Sequence, residues 1–183
     1  MQLFMNLTLA AVLLTAVITD LRAQRIPNWI TFPAMALALA AHTTTQGPEG
    51  LIFSLSGLVL GFGVMFVPYL MGVMGAGDVK LMMAAGAFLG MAATLQAFIL
   101  TSLAGGVYAL VMLARRRNVL ANIFRALKDS AALFLSTRQL AYVRQTDHTS
   151  FPRLCYGVAI AAGTLASMFI TWGTAGFVPA QWM

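Results

Sequence analysis

The stretch "MGVMGAGDVKLMMAAGAFLG", Met71 to Gly90, decides how the chain is read. It is an apolar run with an aspartate and a lysine set just behind two glycines. Acid at membrane depth is costly and marks a functional site by default, so the first question is whether this run lies in a membrane. Composition answers it. Of 183 residues, 60% are hydrophobic and 9% charged, and the mean hydropathy is +0.85. Soluble domains carry roughly 25% charged residues. The chain therefore reads as one integral membrane domain, residues 1–183, of the all-α class.

Working outward, a spanning helix needs about 20 mostly apolar residues. Leu3–Thr19 is the first candidate, with no positive charge ahead of it as a secretory signal would have, so it reads as a retained helix. The second begins near Asn28 or Trp29 and runs to about His42, extendable through Thr43–Thr45, with Pro33 in its first turn. The third is Leu51–Met71 and the last Leu154–Trp172. Asp78 to Ala114 is too long for one comfortable crossing. A hairpin turning near Gly90–Gln96 makes it two short helices and keeps Lys80 and Arg115 on one side. About six transmembrane helices result, with a cytoplasmic-face active site.

Charge supports this count. All eleven basic residues then fall on one face, and the opposite loop "HTTTQGPEG" holds only Glu49. By the positive-inside rule the basic face is cytoplasmic and both termini lie outside. The net charge of +6 thus follows membrane topology, and no nucleic acid is implied. The lone Cys155 excludes a disulfide framework within the chain and a multi-cysteine zinc site. No metal or cofactor is called for. Residues 118–145 place Val119, Leu120, Ile123, Phe124, Leu127, Ala131, Phe134 and Leu135 at helical spacing. They read as an amphipathic helix, lying either in the headgroup region or against the rest of the protein. Gly57/Gly61 and Gly86/Gly90 are spaced for close helix contact.

Of the five acids, Glu49 falls in the outer loop, and Asp129 and Asp147 in the polar cytoplasmic segment. Asp20 and Asp78 are left, both expected at the cytoplasmic ends of membrane helices. Each has a plain structural reading: Asp78 as a helix N-cap, Asp20 as a solvated boundary residue beside Arg22 and Arg25. Their flanks, "DLRAQRIPN" (Asp20–Asn28) and "GAGDVK" (Gly75–Lys80), favour chemistry. Gly75 and Gly77 permit positive φ or a close backbone approach. Arg25 and Asn28 can fix the loop after the first helix or hold substrate, and Pro27 shapes the start of the second helix. Lys80 is expected to snorkel to the headgroups, or more sharply to meet a substrate carboxylate.

At Gly75, Gly77, Asp78 and Lys80, and at Asp20, Arg25, Ile26, Pro27 and Asn28, the chain resembles the type IV prepilin peptidases, intramembrane aspartic proteases of the G-x-G-D type. The resemblance covers most of the chain in helix order. It implies that Asp20 and Asp78 are the catalytic pair. The implied substrate is a prepilin or pseudopilin with a short basic leader and a membrane helix, cut after a glycine at their junction. It also implies residence in the cytoplasmic (inner) membrane. Larger members carry paired C-x-x-C motifs and N-methylate the product. With one cysteine, this chain resembles the short peptidase-only members serving tight-adherence (Flp) pili, or the related archaeal preflagellin enzymes. Two carboxyls brought together share a proton and titrate as a pair. One can then take a proton from water while the other polarises the peptide carbonyl.

Other protease chemistries fit less well. "SLSGL" around Ser56 lacks the usual preceding glycine, and His42 and His148 fall in loops. H-E-x-x-H is absent. Presenilin-like enzymes share G-x-G-D, but R-I-P-N is not their pattern. From other classes, two acids in six helices also suit a small proton- or cation-coupled transporter, or a non-catalytic scaffold of pilus assembly. Oligomeric state and the particular substrate are not legible from sequence.

Overall fold

A computed structural model describes residues 2–72, 74–115 and 156–174. Every regular element among them is helical: α1 (Gln2–Ala23), α2 (Asn28–Gln46), α3 (Pro48–Leu70), α4 (Ala76–Arg115) and α5 (Tyr156–Thr174). The expected amphipathic segment, 118–145, lies outside the described residues. Among the described residues, three stretches are long and apolar enough to cross a membrane: Leu3–Ala23, Pro48–Leu70 and Ala76–Tyr108. Residues 106–115, the end of α4, belong to a second unit, Gly106–Arg153, whereas α1, α2, α3, α5 and the rest of α4 make up the first.

α1 buries one stripe. Met5, Leu9, Leu13, Ala16 and Asp20 are buried at steps of three and four residues, which places them on one helix face. Leu3, Phe4, Leu7 and Leu14 are exposed on the other faces. Apolar surface of this extent is what lipid, rather than water, would cover. α1 also runs past the expected Thr19 to Ala23, so Asp20 lies within the helix and is not its last residue. The helix ends at Gln24, whose φ of 49° is left-handed and whose N–H bonds to the Asp20 carbonyl at 2.8 Å.

The loop expected over His42–Gly50 is almost entirely helical, with Gly47 alone between α2 and α3. Two local features explain this. Thr43, Thr44 and Thr45 turn their hydroxyls onto carbonyls three or four residues back, so polar side chains sit in the helix without losing partners. Gly47 takes φ 62°, which turns the chain, and Pro48 follows at the start of α3, where proline is favoured. Pro33 falls in the second turn of α2, not its first, and the helix continues through it.

The first arm of α4, residues 76–89, is the central element. Val79, Leu81, Met82, Ala84, Ala85, Ala87 and Phe88 are all buried, on every side of the helix. It lies against α3 through glycines. A Cβ on Gly57 would overlap the carbonyl of Gly86, one on Gly86 would overlap that of Gly57, and one on Gly61 would stand 2.6 Å from the Met82 oxygen. Ser54 adds a 2.7 Å bond to the Ala87 carbonyl, and His42 Nε2 lies 3.2 Å from the Phe88 oxygen.

At Gly90 the helical path breaks (φ 73°, ψ 177°). A straight helix would carry Thr94 about 12 Å beyond Gly86. Instead Thr94 Oγ1 lies 3.2 Å from where a Gly86 Cβ would be. The second arm of α4 runs antiparallel to α5. Ser167 bonds the Ala93 carbonyl at 3.0 Å, Gly163 packs on Thr101, and Gly105 faces Tyr156. The chain therefore doubles back at Gly90, within the expected 90–96 window.

Candidate active site

Asp20 and Asp78 lie at the same end of the bundle, both nearly buried, at 6% and 9% exposure. Their separation in the chain is bridged by the turn after α1. Gly77 is closely covered, because a Cβ there would come within 3.1 Å of Ile26 Cβ and 3.4 Å of the Ile26 backbone. The segment between α1 and α2 thus lies directly on the start of α4.

Each is held in the same manner. Asp78 is the third residue of α4, and its Oδ2 accepts a 3.0 Å hydrogen bond from the Gly75 N–H, while the Asp78 N–H donates to the Gly75 carbonyl at 3.1 Å. This is one half of a capping box, with Gly75 in the cap position. Asp78 is therefore not the N-cap itself. Asp20 Oδ2 accepts a 3.0 Å bond from the Gly157 N–H in the first turn of α5. It is neither solvated nor turned to Arg22 and Arg25, which are both exposed. Among the described residues neither Oδ1 has a hydrogen-bond partner.

The other expected site residues divide. Pro27, extended at φ −74° and ψ 144°, caps the start of α2. Asn28 opens that helix and accepts a 2.8 Å hydrogen bond from Lys80 Nζ, which also lies 5.3 Å from the Phe32 ring centroid. Lys80 therefore joins the two motifs to each other. Arg25 is exposed. Neither Gly75 nor Gly77 takes a positive φ. Among the described residues that property belongs to Gly47, Gly72, Gly90 and Gln24. Close approach of Ile26 is what Gly77 permits. Sequence reasoning does not bring Gly157 to Asp20, because a glycine just inside a helix start is too common to be a signal.

An apolar cavity of about 290 Å³ lies between α2, α3 and α4, lined by Phe32, Met35, Phe62, Phe66, Val79 and Met83, with Lys80 in its wall. At 3.6 residues per turn, Asp78 faces the other side of α4. Among the described residues no three His, Cys, Asp or Glu side chains gather as metal ligands would.

Residues 7–110, more than half the chain, match the type IV leader peptidase family. The chain belongs to that family. It matches no curated protein and no solved structure. Family membership makes it a membrane-embedded peptidase with a prepilin as its substrate. The matched segment contains Asp20, Asp78 and both flanking motifs, and stops short of α5.

Proposed function

We propose that this leader peptidase is an aspartic endopeptidase in which Asp20 and Asp78 activate one water between them. The observation that carries this reading is their shared manner of support. Each buried carboxylate uses Oδ2 for a backbone N–H and keeps Oδ1 without a partner among the described residues, at one end of the bundle. One Oδ1 takes a proton from water as that water attacks the scissile carbonyl. The protonated partner gives its proton to the carbonyl oxygen, forming a gem-diol; the first carboxyl then passes the proton it took from water to the leaving amine as the C–N bond breaks, and the partner recovers its own proton from the diol. No covalent intermediate is needed. The substrate backbone must be unwound at the cut, because carbonyls inside a helix are already hydrogen-bonded.

The cut falls at the junction of a basic leader and a membrane helix, at the cytoplasmic lip of the inner membrane. The reversal at Gly90 favours six crossings with both termini outside, because it returns the chain toward the end that carries Asp20. The single cysteine favours a peptidase without N-methyltransferase activity, of the kind that serves Flp pili.

Co-expression with a candidate prepilin tests the assignment. Asp20→Asn and Asp78→Asn should each abolish leader removal, by about 10²-fold or more, at normal membrane abundance. An asparagine Oδ1 can still accept from Gly157 or Gly75, so folding is preserved. Cleavage that survives either substitution rejects the pair, and proton-coupled uptake without cleavage would favour a transporter.

A further inference from the structure

We propose that Gly157, in α5 and beyond the family-matched segment, is a positioning residue that fixes the Asp20 carboxyl for attack. The inference rests on the reading of Asp20 as catalytic. Its own basis is the contact across 137 positions between the ends of two helices.

Two features of Gly157 act together. Its N–H lies in the first turn of α5, where backbone donors have no acceptor within the helix, and it points to Asp20 Oδ2 at 3.0 Å. Its Cα is the surface on which the acid rests. A Cβ at this position would stand 2.8 Å from Asp20 Oδ2 and 3.2 Å from both Cβ and Cγ of Asp20. No other residue type supplies the donor without displacing the carboxyl. Asp78 needs no such help, since its donor, Gly75, lies three residues away at the start of the same helix. Asp20 lies near the end of α1, where the backbone presents carbonyls rather than free N–H groups. A donor for its carboxylate has to come from another helix, and α5 provides it.

The consequence is that α5 sets which Asp20 oxygen faces substrate. With Oδ2 held by Gly157, Oδ1 is the atom left to meet water. Losing the bond lets the carboxyl rotate, and a misplacement of about 1 Å can cost about 10²-fold in rate.

The test uses the full chain purified in nanodiscs with a full-length prepilin, reading kcat and KM separately. Gly157→Ala keeps the N–H and moves the carboxyl. Replacing Gly157 with glycolate exchanges the N–H for an ester oxygen and adds no bulk, so it addresses the donor alone even if the alanine variant does not fold. Gly163→Ala is the packing control. It lies in the same helix as Gly157 and crowds Thr101 of α4 without touching Asp20.

Both changes at 157 should lower kcat at least about tenfold with KM within about twofold, and Gly163→Ala should lower thermal stability without that kcat loss. Wild-type kcat in the glycolate variant would overturn the proposal. So would a kcat loss at 157 no larger than that of Gly163→Ala at equal stability. If Asp20→Asn itself retains cleavage, the aspartic reading fails. If Asp20→Asn is inactive while both 157 variants match wild type, only the role of Gly157 fails.

Discussion

Lys80 Nζ donates a 2.8 Å hydrogen bond to Asn28 Oδ1 across 52 positions of sequence, with its ammonium 5.3 Å from the Phe32 ring centroid. One side chain thus ties the start of α2 to the start of α4, beside the turn where Ile26 rests on Gly77. The two motifs that look separate in sequence are joined by this bond and by the Ile26–Gly77 contact.

Lys80→Met and Asn28→Ala should each destabilise the protein by about 1 kcal/mol, as expected for a charge-assisted bond near the surface. The double variant should cost less than the sum of the singles, with a coupling of roughly 0.5–1 kcal/mol. Thermal unfolding in detergent measures this. Full additivity would mean that the two residues act independently.

The contact between Gly57 and Gly86 leaves no room for a methyl on either side. Gly57→Ala and Gly86→Ala should each cost about 1–3 kcal/mol or more through overpacking. Gly63→Ala, at an open position in the same helix as Gly57, should cost little. Unfolding midpoints of the three variants compared side by side decide the matter.

Gly90 has two separate reasons to be glycine. Its φ of 73° with ψ of 177° is a backbone state that other residues avoid, and a Cβ would overlap the Phe53 ring. Gly90→Ala should therefore cost about 1–3 kcal/mol for the backbone plus a steric part. Adding Phe53→Ala should relieve the crowding of position 90, while leaving the backbone cost and its own lost packing. A double variant less stable than the sum of its parts would contradict this division.

The reversal at Gly90 also predicts sidedness. In a Cys155→Ser background, single cysteines at the exposed positions Thr45 and Ala92 should react with a membrane-impermeant maleimide from the same side, and a cysteine at Arg22 from the other. Labelling of Ala92 and Arg22 from one side would remove the hairpin from the membrane topology.

Much of the fold is legible in sequence because it depends on short-range pattern. Apolar stripes mark α1, α3 and α5 nearly in full, and the glycine at 90 lies within the expected turn. The threonine run at 43–45 misleads in part, since polarity suggests a loop, whereas each hydroxyl is satisfied by the helix's own carbonyls. Gly75 and Gly77 stand out beside an acid, but composition cannot separate a need for positive φ from a need for contact. Gly77 is under Ile26, and Gly72 is the one with left-handed φ. The Lys80–Asn28 and Asp20–Gly157 bonds are long-range pairings. A single sequence carries no signal for which donor meets which acceptor over such distances.

The Asp20–Gly157 bond has a bearing on how the enzyme comes into being. During synthesis both acids and every motif residue leave the ribosome well before α5 does. A nascent chain therefore carries both acids and their flanking motifs while Asp20 still lacks the N–H that Gly157 of α5 donates to it. If Gly157 fixes Asp20 as proposed, activity would await the insertion and packing of α5.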